Sequence, residues 1–308
     1  MTDVVCLGIL VADVIARPVD RLPERGTLEL VDEIRVHGGG CALNTASALA
    51  RLGLRAAAAG KLGVDPLADV LLGLLEERGV DGRAVVRDPV IPTSATVALV
   101  GADGERTFLH LPGANASLSA GDLDPELIFS GRALHLGGTF LLEALDGEPT
   151  ATVLAEARRR GLFTSLDTAY DASGRWNRVL PSLEQLDLFT PSIAEARGIT
   201  GEREPDRAAR NLRELGVREV AVTLGPEGCY VVGETFEGHI PAPVVEVVDG
   251  TGSGDAFVAG FLHAKLAELP LEDAARFANA TGALAATASG AFDGLRGLEE
   301  TSVLAGLG

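Results

Sequence analysis

Short apolar runs typical of strands alternate with longer runs typical of helices along most of the chain, and this alternation restricts the fold more than any other feature. The first part of the chain predicts a buried strand at 4–10, a helix at 41–52, a strand at 55–60 and a helix at 66–78. Six further segments are predicted at 133–136, 150–160, 162–166, 187–190, 206–215 and 217–223. Strand–helix–strand units connect by right-handed crossovers, which make the strands parallel and place helices on both faces. The sequence therefore predicts an α/β fold with three layers, α/β/α, around a mainly parallel sheet.

Two stretches interrupt the alternation and predict a separate small β-sheet. Residues 13–36 contain prolines and a glycine among short alternating runs. Two strand-like runs, 95–100 and 106–111, flank an Asp-Gly pair, which is a strong signal for a β-hairpin. We therefore expect a small sheet that projects from the main body. This expectation assigns 13–36 and 92–112 to the small sheet, and 1–12, 37–91 and 113–308 to the main α/β domain.

The overall charge and composition exclude several classes of partner. The chain has 308 residues and a formal net charge of −18, which disfavours binding to nucleic acids and to anionic lipids. No apolar run approaches the roughly 20 residues of a membrane-spanning helix. The three cysteines lie far apart without metal-ligand spacing, and the N-terminus lacks the basic start of a signal peptide. We therefore expect no nucleic-acid partner, no membrane association and a cytoplasmic location.

The most informative segment is residues 248–257, Val-Asp-Gly-Thr-Gly-Ser-Gly-Asp-Ala-Phe, which leads into a predicted apolar helix. Glycines at a helix start let a ligand approach the backbone closely, and the free N–H groups there carry a partial positive charge. Such a helix start binds anions such as phosphate. The segment lacks the lysine of a Walker A loop and the spacing of a GxGxxG fingerprint. It therefore predicts a phosphate site of a different architecture.

Asp255 is an unusual residue in this segment, because a carboxylate beside a phosphate site repels the ligand. Removal of a proton from an attacking hydroxyl would explain its presence. The structural alternative is an acidic residue that stabilises the first turn of the helix, and for an isolated Gly-Asp pair that explanation is the more common one. The three alternating glycines, together with Thr251 and Ser253, favour the catalytic interpretation.

Two long motifs are similar to signatures of the ribokinase-like (PfkB) family of carbohydrate kinases. Residues 249–260 resemble the family's anion-hole and catalytic-base signature. Residues 38–46 resemble its N-terminal signature, which continues through Gly53 and Gly63 at the family's spacing. The resemblance covers essentially the whole chain. It implies a ribokinase-like fold with a β-lid, and transfer of the γ-phosphoryl group of ATP to a hydroxyl of a small sugar, with ATP and Mg²⁺ as cofactors.

The resemblance also implies roles for individual residues around the reacting groups. Asp255 resembles the general base. The anion hole corresponds to Gly252, Ser253 and Gly254. The floor that holds the substrate hydroxyls corresponds to Asp13, Gly39, Gly40 and Asn44. The chemistry agrees, since glycines let a polyol lie close to the backbone and an Asn side chain both donates and accepts hydrogen bonds.

For the nucleotide, the resemblance implies contacts from one loop and from the helix that follows the catalytic one. The residues concerned are Thr223, Gly225, Gly228 and Asn279. A plain turn between strands is the structural alternative for the loop. A solvent-facing helix residue is the alternative for Asn279.

For cations, the resemblance implies two positions and also shows two departures. Glu195 resembles the acidic member of the family's Asn-x-x-Glu element, which organises Mg²⁺ through water. Ser192 stands at the Asn position, so metal and phosphate dependence are expected to differ. Gly250 stands where many members carry Thr. Asp249 and Thr251 resemble residues that border a monovalent-cation site, which implies K⁺.

The two interrupting stretches resemble the family's β-lid, which closes over the sugar and excludes water that would hydrolyse ATP. Lids of this kind often pair between subunits, so we expect a homodimer through the lid. Arg106 on the hairpin either reaches the substrate or is a surface residue, with the surface interpretation favoured.

Two alternatives to a sugar kinase stay open. A nucleoside kinase would also suit a floor built from Asp13 and Asn44, but the lid offers only Phe108 to stack on a base. A catalytically silent sugar-binding regulatory protein belongs to a different class and needs no base at Asp255. We therefore expect a simple sugar as the substrate, with a nucleoside as the second choice.

Overall fold

A large sheet of nine strands forms the centre of the part of the chain that the structure describes. The computed structural model describes residues 2–103, 105–169, 173–291 and 293–308. Its strands are β1 (Val4–Gly8), β2 (Val11–Arg17), β3 (Glu33–Gly39), β4 (Ala56–Gly63), β5 (Asp81–Asp88), β6 (Ala95–Val100), β7 (Arg106–Leu111), β8 (Ala133–Thr139), β9 (Phe163–Thr168), β10 (Leu188–Phe189), β11 (Glu219–Thr223), β12 (Cys229–Val232) and β13 (Glu237–Ile240). Its α-helices are α1 (Cys41–Arg51), α2 (Pro66–Glu77), α3 (Gly113–Ser117), α4 (Pro125–Ile128), α5 (Glu148–Arg159), α6 (Leu180–Leu183), α7 (Ile193–Thr200), α8 (Pro205–Glu214), α9 (Ser253–Leu266), α10 (Leu271–Ala285) and α11 (Leu298–Leu304).

The large sheet is mainly parallel, as the sequence predicts. Its strand order is β13-β12-β11-β10-β9-β8-β1-β4-β5. The strands from β11 to β5 run parallel, and β12 and β13 form an antiparallel edge. The carboxyl ends of the parallel strands therefore meet along one edge, which is where open α/β sheets bind their ligands.

Helices cover both faces of the large sheet, and each face has its own apolar core. Successive side chains of a strand point to opposite faces. In β1, Val4 and Cys6 pack into the core that includes α9 and α10, whereas Val5 and Leu7 pack into the core that includes α5. This arrangement confirms the predicted three-layer fold. No helix in the described ranges is long and apolar enough to cross a membrane.

The strand predicted at 4–10 is shorter in the structure: β1 ends at Gly8, where the chain leaves the large sheet, and β2 begins at Val11 in the small sheet. At Gly8 the backbone passes so close to β8 that any Cβ would overlap the carbonyl oxygen of Gly137. Between the two strands, the buried side chain of Asn115 accepts a hydrogen bond from the Leu10 N–H (3.1 Å) and donates one to the Leu10 carbonyl (2.9 Å). The apolar run alone does not reveal this break, since it depends on an amide 105 residues away.

The small sheet has four strands in the order β3-β2-β6-β7. β2 pairs antiparallel with β3 and parallel with β6, and β6 pairs antiparallel with β7. The strands β6 and β7 have the limits predicted for the hairpin, although Gly104 in its turn lies outside the described residues. We call this sheet the lid. The division of the chain into lid and main domains stays a prediction.

The two faces of the lid differ sharply in chemistry because each strand alternates its side chains. The pairing register aligns Asp13 with His37 and with Thr96, and Thr96 with His110. One face therefore carries these four polar side chains. The register puts only apolar side chains and Thr107 on the opposite face, which we call the outer face of the lid; its larger members are Val14, Ile34, Val36, Val97, Leu99, Leu109 and Leu111.

Candidate active site

The site is centred on Asp255, in the first turn of α9. Gly252 caps this helix in the left-handed conformation, with φ 73°, which places Asp255 at the third helical position. Its carboxylate accepts a hydrogen bond from the amide nitrogen of Asn44, at 2.8 Å. The hydroxyl of Thr45 donates to the backbone carbonyl of Asp255 at 3.3 Å. The first turns of α1 and α9 are therefore joined at the point where the sequence predicts the chemistry.

A second buried carboxylate, Asp167, lies beside Asp255 and changes its acidity. Burial raises the pKa of Asp255 to about 6, and the Asp167 carboxylate acts in the same direction. The hydrogen bond from Asn44 opposes this rise, because it stabilises the charged form. Asp167 is itself held at the end of β9 by the Gly138 N–H, which donates to Oδ1 at 2.7 Å. The sequence analysis missed Asp167, although an acidic residue at the carboxyl end of a parallel strand was a usable signal.

A pocket with a volume of about 450 Å³ opens above Asp255, between the polar face of the lid and the main domain. Its size suits a small ligand. The predicted substrate residues all line it: Asp13, Gly39, Gly40 and Asn44. Gly252 and Asp255 complete the wall on the α9 side. The structure thus brings the predicted base and the predicted sugar floor into one cavity.

The floor of the pocket depends on glycine at position 39. A Cβ at Gly39 would overlap the present position of the Asp13 carboxylate, so a larger residue there would displace that side chain within the pocket. Burial raises the pKa of Asp13, while the Thr96 hydroxyl and His37 act in the opposite direction. On the same face, Thr96 Oγ1 lies 3.1 Å from Nδ1 of His110. The lid therefore presents a connected polar surface to the pocket.

Arg106 connects the lid to the loop that precedes α9. Its guanidinium lies 2.8 Å from the Asp249 carboxylate and donates a hydrogen bond to the hydroxyl of Thr251. Burial disfavours ionised Asp249, but hydrogen bonds from Thr251 and Arg106 outweigh it and hold its pKa below the usual value. Arg106 also lines the pocket. Arg106 is exposed, as the favoured surface interpretation expects, but it also joins two parts of the site.

Glu195 lies at the carboxyl end of the large sheet and is not among the residues that line the pocket. It forms a capping box with Ser192, whose backbone N–H donates to Oε2 at 2.7 Å. The Thr168 hydroxyl donates to the same oxygen at 2.8 Å. Burial raises the pKa of Glu195, although these hydrogen bonds oppose the rise. Ser192 therefore acts as the cap of α7 in this chain.

The predicted nucleotide residues lie together at the same end of the sheet, but one of them differs from expectation. Thr223 ends β11, and Gly225 and Gly228 bound the turn that follows it. Any Cβ at Gly228 would overlap the carbonyl oxygen of Ile240, so this turn lies tightly against the end of β13. Asn279 is buried rather than solvent-facing, and its amide nitrogen donates to the carbonyls of residues 240 and 241 at 2.9 and 3.3 Å. Its observed contacts hold the backbone beside the turn.

Comparisons with known proteins agree with this geometry. The model of the pfkB family carbohydrate kinases matches residues 1–296. Fructokinase-1 from Oryza sativa subsp. japonica is 33% identical over 275 residues, which are 83% of this chain and 84% of that protein. The crystal structure of a ribokinase from Thermotoga maritima has a TM-score of 0.84 at 26% identity and covers 99% of both chains. A putative Ribokinase II from E. coli, solved in complex with ATP and Mg²⁺, has a TM-score of 0.84 at 22% identity and covers 99% of both chains.

The fold, the family match and the similarity to fructokinase together define the protein as a carbohydrate kinase with a ribokinase-like fold. The chain belongs to the pfkB family of carbohydrate kinases. The family resemblance inferred from the two sequence motifs is thereby confirmed.

The two glycines that flank Ser253 should respond differently to substitution. Gly252→Ala places a side chain in a left-handed conformation, which costs roughly 1–2 kcal/mol, and its Cβ overlaps Ala291. At Gly254 an added Cβ meets no neighbouring atom within 4 Å, and alanine is favoured over glycine in a helix by roughly 0.5–1 kcal/mol. Urea unfolding should therefore show a lower midpoint for Gly252→Ala and an unchanged or higher one for Gly254→Ala. Equal midpoints for the two variants would contradict the left-handed cap.

Proposed function

We propose that this carbohydrate kinase transfers the γ-phosphoryl group of ATP to a hydroxyl of a small sugar, with Asp255 as the general base. The observation that carries the proposal is the position of Asp255. It stands at the junction of a sugar-sized pocket and the open N-terminus of α9. A hydroxyl in the pocket and a phosphate at the helix start would both be adjacent to its carboxylate.

In the proposed mechanism, Asp255 removes the proton from the sugar hydroxyl as that oxygen attacks the phosphorus atom. A positioned base of this kind contributes roughly 10²–10⁴-fold in rate. The hydrogen bond from Asn44 orients the carboxylate. The Asn44 oxygen is buried and accepts no hydrogen bond from the described residues, so it is available to a second sugar hydroxyl. Across the pocket, the carboxylate of Asp13 accepts a hydrogen bond from a further sugar hydroxyl.

The N-terminus of α9 supplies the anion hole for the transferred phosphoryl group. Backbone N–H groups at a helix start stabilise negative charge that develops in the transition state. We assign this role to Gly252, Ser253 and Gly254. The open space around Gly254 fits the assignment, because a phosphate there would lie against the backbone without meeting a side chain.

ATP and Mg²⁺ fit the groups at the adjacent end of the sheet. We assign the nucleotide to the turn after Thr223, with Gly225 and Gly228 allowing close approach, and with Asn279 supporting that turn from behind. Glu195 offers carboxylate oxygen, which Mg²⁺ prefers, and we assign it to the metal through water. When bound, Mg²⁺ neutralises phosphate charge. Because Ser192 is committed to capping α7, we expect Glu195 to organise the metal without the amide of the family element.

A monovalent cation is not part of the proposal. Asp249 and Thr251 lie together, as the sequence analysis expects, but the guanidinium of Arg106 already faces both residues. A fixed positive charge in contact with the Asp249 carboxylate does not fit an open K⁺ site, since two cations there would repel each other.

A simple sugar fits the pocket better than a nucleoside. Phe108 is the aromatic side chain that the lid contributes to the pocket wall, whereas base recognition commonly uses stacking between several aromatic groups. Similarity to fructokinase also favours a simple sugar.

A catalytically silent sugar-binding protein is disfavoured. Burial and the neighbouring Asp167 carboxylate raise the pKa of Asp255, and a perturbed pKa of this kind is typical of catalytic sites. The three cysteines are free, which agrees with a reducing, cytoplasmic environment.

Replacing Asp255 with Asn tests the assignment of the base. ATP consumption with Mg²⁺ should be measured across hexoses, pentoses, sugar acids and nucleosides. We expect sugar-stimulated turnover that falls by roughly 10²–10⁴-fold in Asp255→Asn. Asp69→Asn is the matched control, because Asp69 is also an acidic residue in the first turn of a helix but is exposed and far from the pocket residues. Similar turnover in wild type and Asp255→Asn would show that Asp255 is not the base. Turnover with nucleosides alone would identify the protein as a nucleoside kinase instead.

The rate should depend on pH through the raised pKa of Asp255. The base acts only when it is ionised, so kcat/KM for the sugar, which reports the free enzyme, should fall as the pH drops through about 6, above the usual range of aspartate. Because the folded-state pKa is raised, ionisation of this carboxylate destabilises the fold progressively as the pH rises from 3.8, the usual value for aspartate, through about 6. Asp255→Asn should therefore melt higher than wild type at pH 8, and the difference should nearly vanish at pH 3. A rate that stays constant down to pH 4.5 would contradict the raised pKa.

We also propose that the outer face of the lid pairs with the same face of a second copy of the chain. The support is the run of exposed apolar side chains on this face, including Ile34 at 66% and Leu109 at 60% exposure. A continuous apolar patch of this kind is unusual on a monomer. We favour a second copy of the chain as the partner of this face. Each chain has a net charge of −18, and an apolar face that pairs with itself lets two such chains associate without bringing charged groups together.

Leu109→Glu should dissociate this dimer without unfolding the chain, because the residue is exposed and lies opposite the pocket face. Light scattering after gel filtration should give twice the chain mass of 31.8 kDa for wild type and the single mass for the variant. Val303→Glu, at an exposed apolar residue on α11, is the matched control and should stay dimeric. A wild-type protein of single mass at micromolar concentration would reject the lid interface.

A further inference from the structure

Three metal-ligating side chains converge at the base of the pocket. Cys41 Sγ, a carboxylate oxygen of Asp167 and a carboxylate oxygen of Asp255 all lie within 4.8 Å of one another. They come from the start of α1, the end of β9 and the first turn of α9. These elements are packed together, so the three ligand atoms are held on the well-ordered core of the main domain rather than on a loop.

The electrostatics of this cluster favour the arrival of a positive charge. Two carboxylates in a partly buried site repel each other, and their observed donors, the Asn44 amide, the Gly138 N–H and the Cys41 thiol, are neutral. Burial and these two carboxylates raise the pKa of the Cys41 thiol well above its usual value, so the thiol is neutral until a cation arrives. A basic nitrogen also faces the cluster: Nε2 of His135 lies 3.7 Å from Asp167 Oδ2. His135 is fully buried, and this nitrogen has no hydrogen-bond partner among the described residues. The cluster therefore combines excess negative charge with an unused nitrogen.

The ligand set selects a particular class of metal. A thiolate together with carboxylates suits Zn²⁺, whereas Mg²⁺ prefers oxygen ligands alone. Zinc–ligand bonds of about 2.0–2.3 Å put neighbouring ligands of a tetrahedral ion roughly 3.5 Å apart. Side-chain adjustments of about 1 Å would bring the three atoms from their present spacing to that geometry. Cys41 and Asp255 line the pocket, which gives the ion an entry path.

We propose that Cys41, Asp167 and Asp255 form a Zn²⁺-binding site, and that Zn²⁺ bound there reversibly inhibits the enzyme. Binding converts the Cys41 thiol to a thiolate, forms the Zn–S bond and releases one proton to solvent. The ion also takes a lone pair of the Asp255 carboxylate. The inhibition rests on the proposed function, because it removes the base that accepts the sugar proton, whereas the binding itself does not depend on that function.

Sugar and Zn²⁺ should exclude each other in this arrangement. A sugar hydroxyl close to Asp255 would occupy the path by which the ion enters, and the ion would occupy the carboxylate that the hydroxyl needs. Zn²⁺ inhibition should therefore weaken at saturating sugar and should persist in the presence of excess Mg²⁺, which does not favour a thiolate ligand.

Co²⁺ tests the site directly, because it is a spectroscopic substitute for Zn²⁺ and gives a near-ultraviolet charge-transfer band when a thiolate is bound. Without nucleotide, wild type should take up one Co²⁺ per chain with this band, and Zn²⁺ should displace it. Cys41→Ser should lose the band and bind Zn²⁺ at least about tenfold more weakly. Asp167→Asn keeps the thiol and should also weaken Co²⁺ binding. Cys229→Ala removes a buried cysteine elsewhere and should leave the band unchanged.

The kinetic arm measures the Zn²⁺ concentration that halves sugar phosphorylation at excess MgATP, relative to the uninhibited rate of each variant. Cys41→Ser should need at least about tenfold more Zn²⁺ than wild type. If the Co²⁺ charge-transfer band is absent in wild type, or is retained in Cys41→Ser, the proposed metal site is wrong. A band without inhibition overturns its inhibitory role. If no sugar is phosphorylated at all, the proposed function fails, while the Co²⁺ band still decides whether the metal site exists.

Discussion

The hydrogen bond between Asn44 and Asp255 is the contact on which the arrangement of the site depends. It joins the first turns of α1 and α9, which are 211 residues apart in the sequence. The N-terminal half of the chain contains the proposed sugar floor, and the C-terminal half contains the proposed base and the helix start. Neither half carries a complete site. The fold brings them together because α1 and α9 pack in the same apolar core, on one face of the large sheet.

The same region contains an unfavourable electrostatic arrangement. Asp167 and Asp255 lie close together, and burial raises the pKa of Asp255. A stability-optimised core would replace one of these carboxylates with a neutral residue. The surrounding interactions hold the pair in place, since the backbone of Gly138 and the amide of Asn44 each donate to one of them. The site is therefore a strained arrangement supported by a rigid frame.

Strong periodicity and turn signals made much of the fold predictable. The alternation of apolar runs gave the parallel sheet, and the Asp-Gly pair gave the hairpin of β6 and β7 with the observed limits. β5 was not predicted, because four of its eight residues are charged and its pattern depends on pairing with β4. The break between β1 and β2 depends on the distant side chain of Asn115. Tertiary contacts decided both cases.

The two motifs identified the residues that share the pocket, but not the residues that connect to them from elsewhere. Asp167 and Arg106 lie outside both motifs, and only the folded chain shows that they contact or influence motif residues. For Asn279, the sequence indicated the position of the residue but not the contacts that its side chain makes. Its position in the helix was compatible with a ligand contact, yet its amide is used to hold the backbone next to Gly228. Residue type and spacing do not reveal how a side chain's hydrogen bonds are distributed.

The bridge from Arg106 to Asp249 and Thr251 has a thermodynamic consequence for the binding of two substrates. It ties β7, at the edge of the lid, to the loop that leads into the helix start. Order imposed on either side therefore restricts the other. A first ligand bears the entropic cost of fixing both segments, and a second ligand then binds to a site that is already ordered. Sugar and nucleotide are expected to bind with positive cooperativity, and by linkage each must raise the affinity for the other by the same factor.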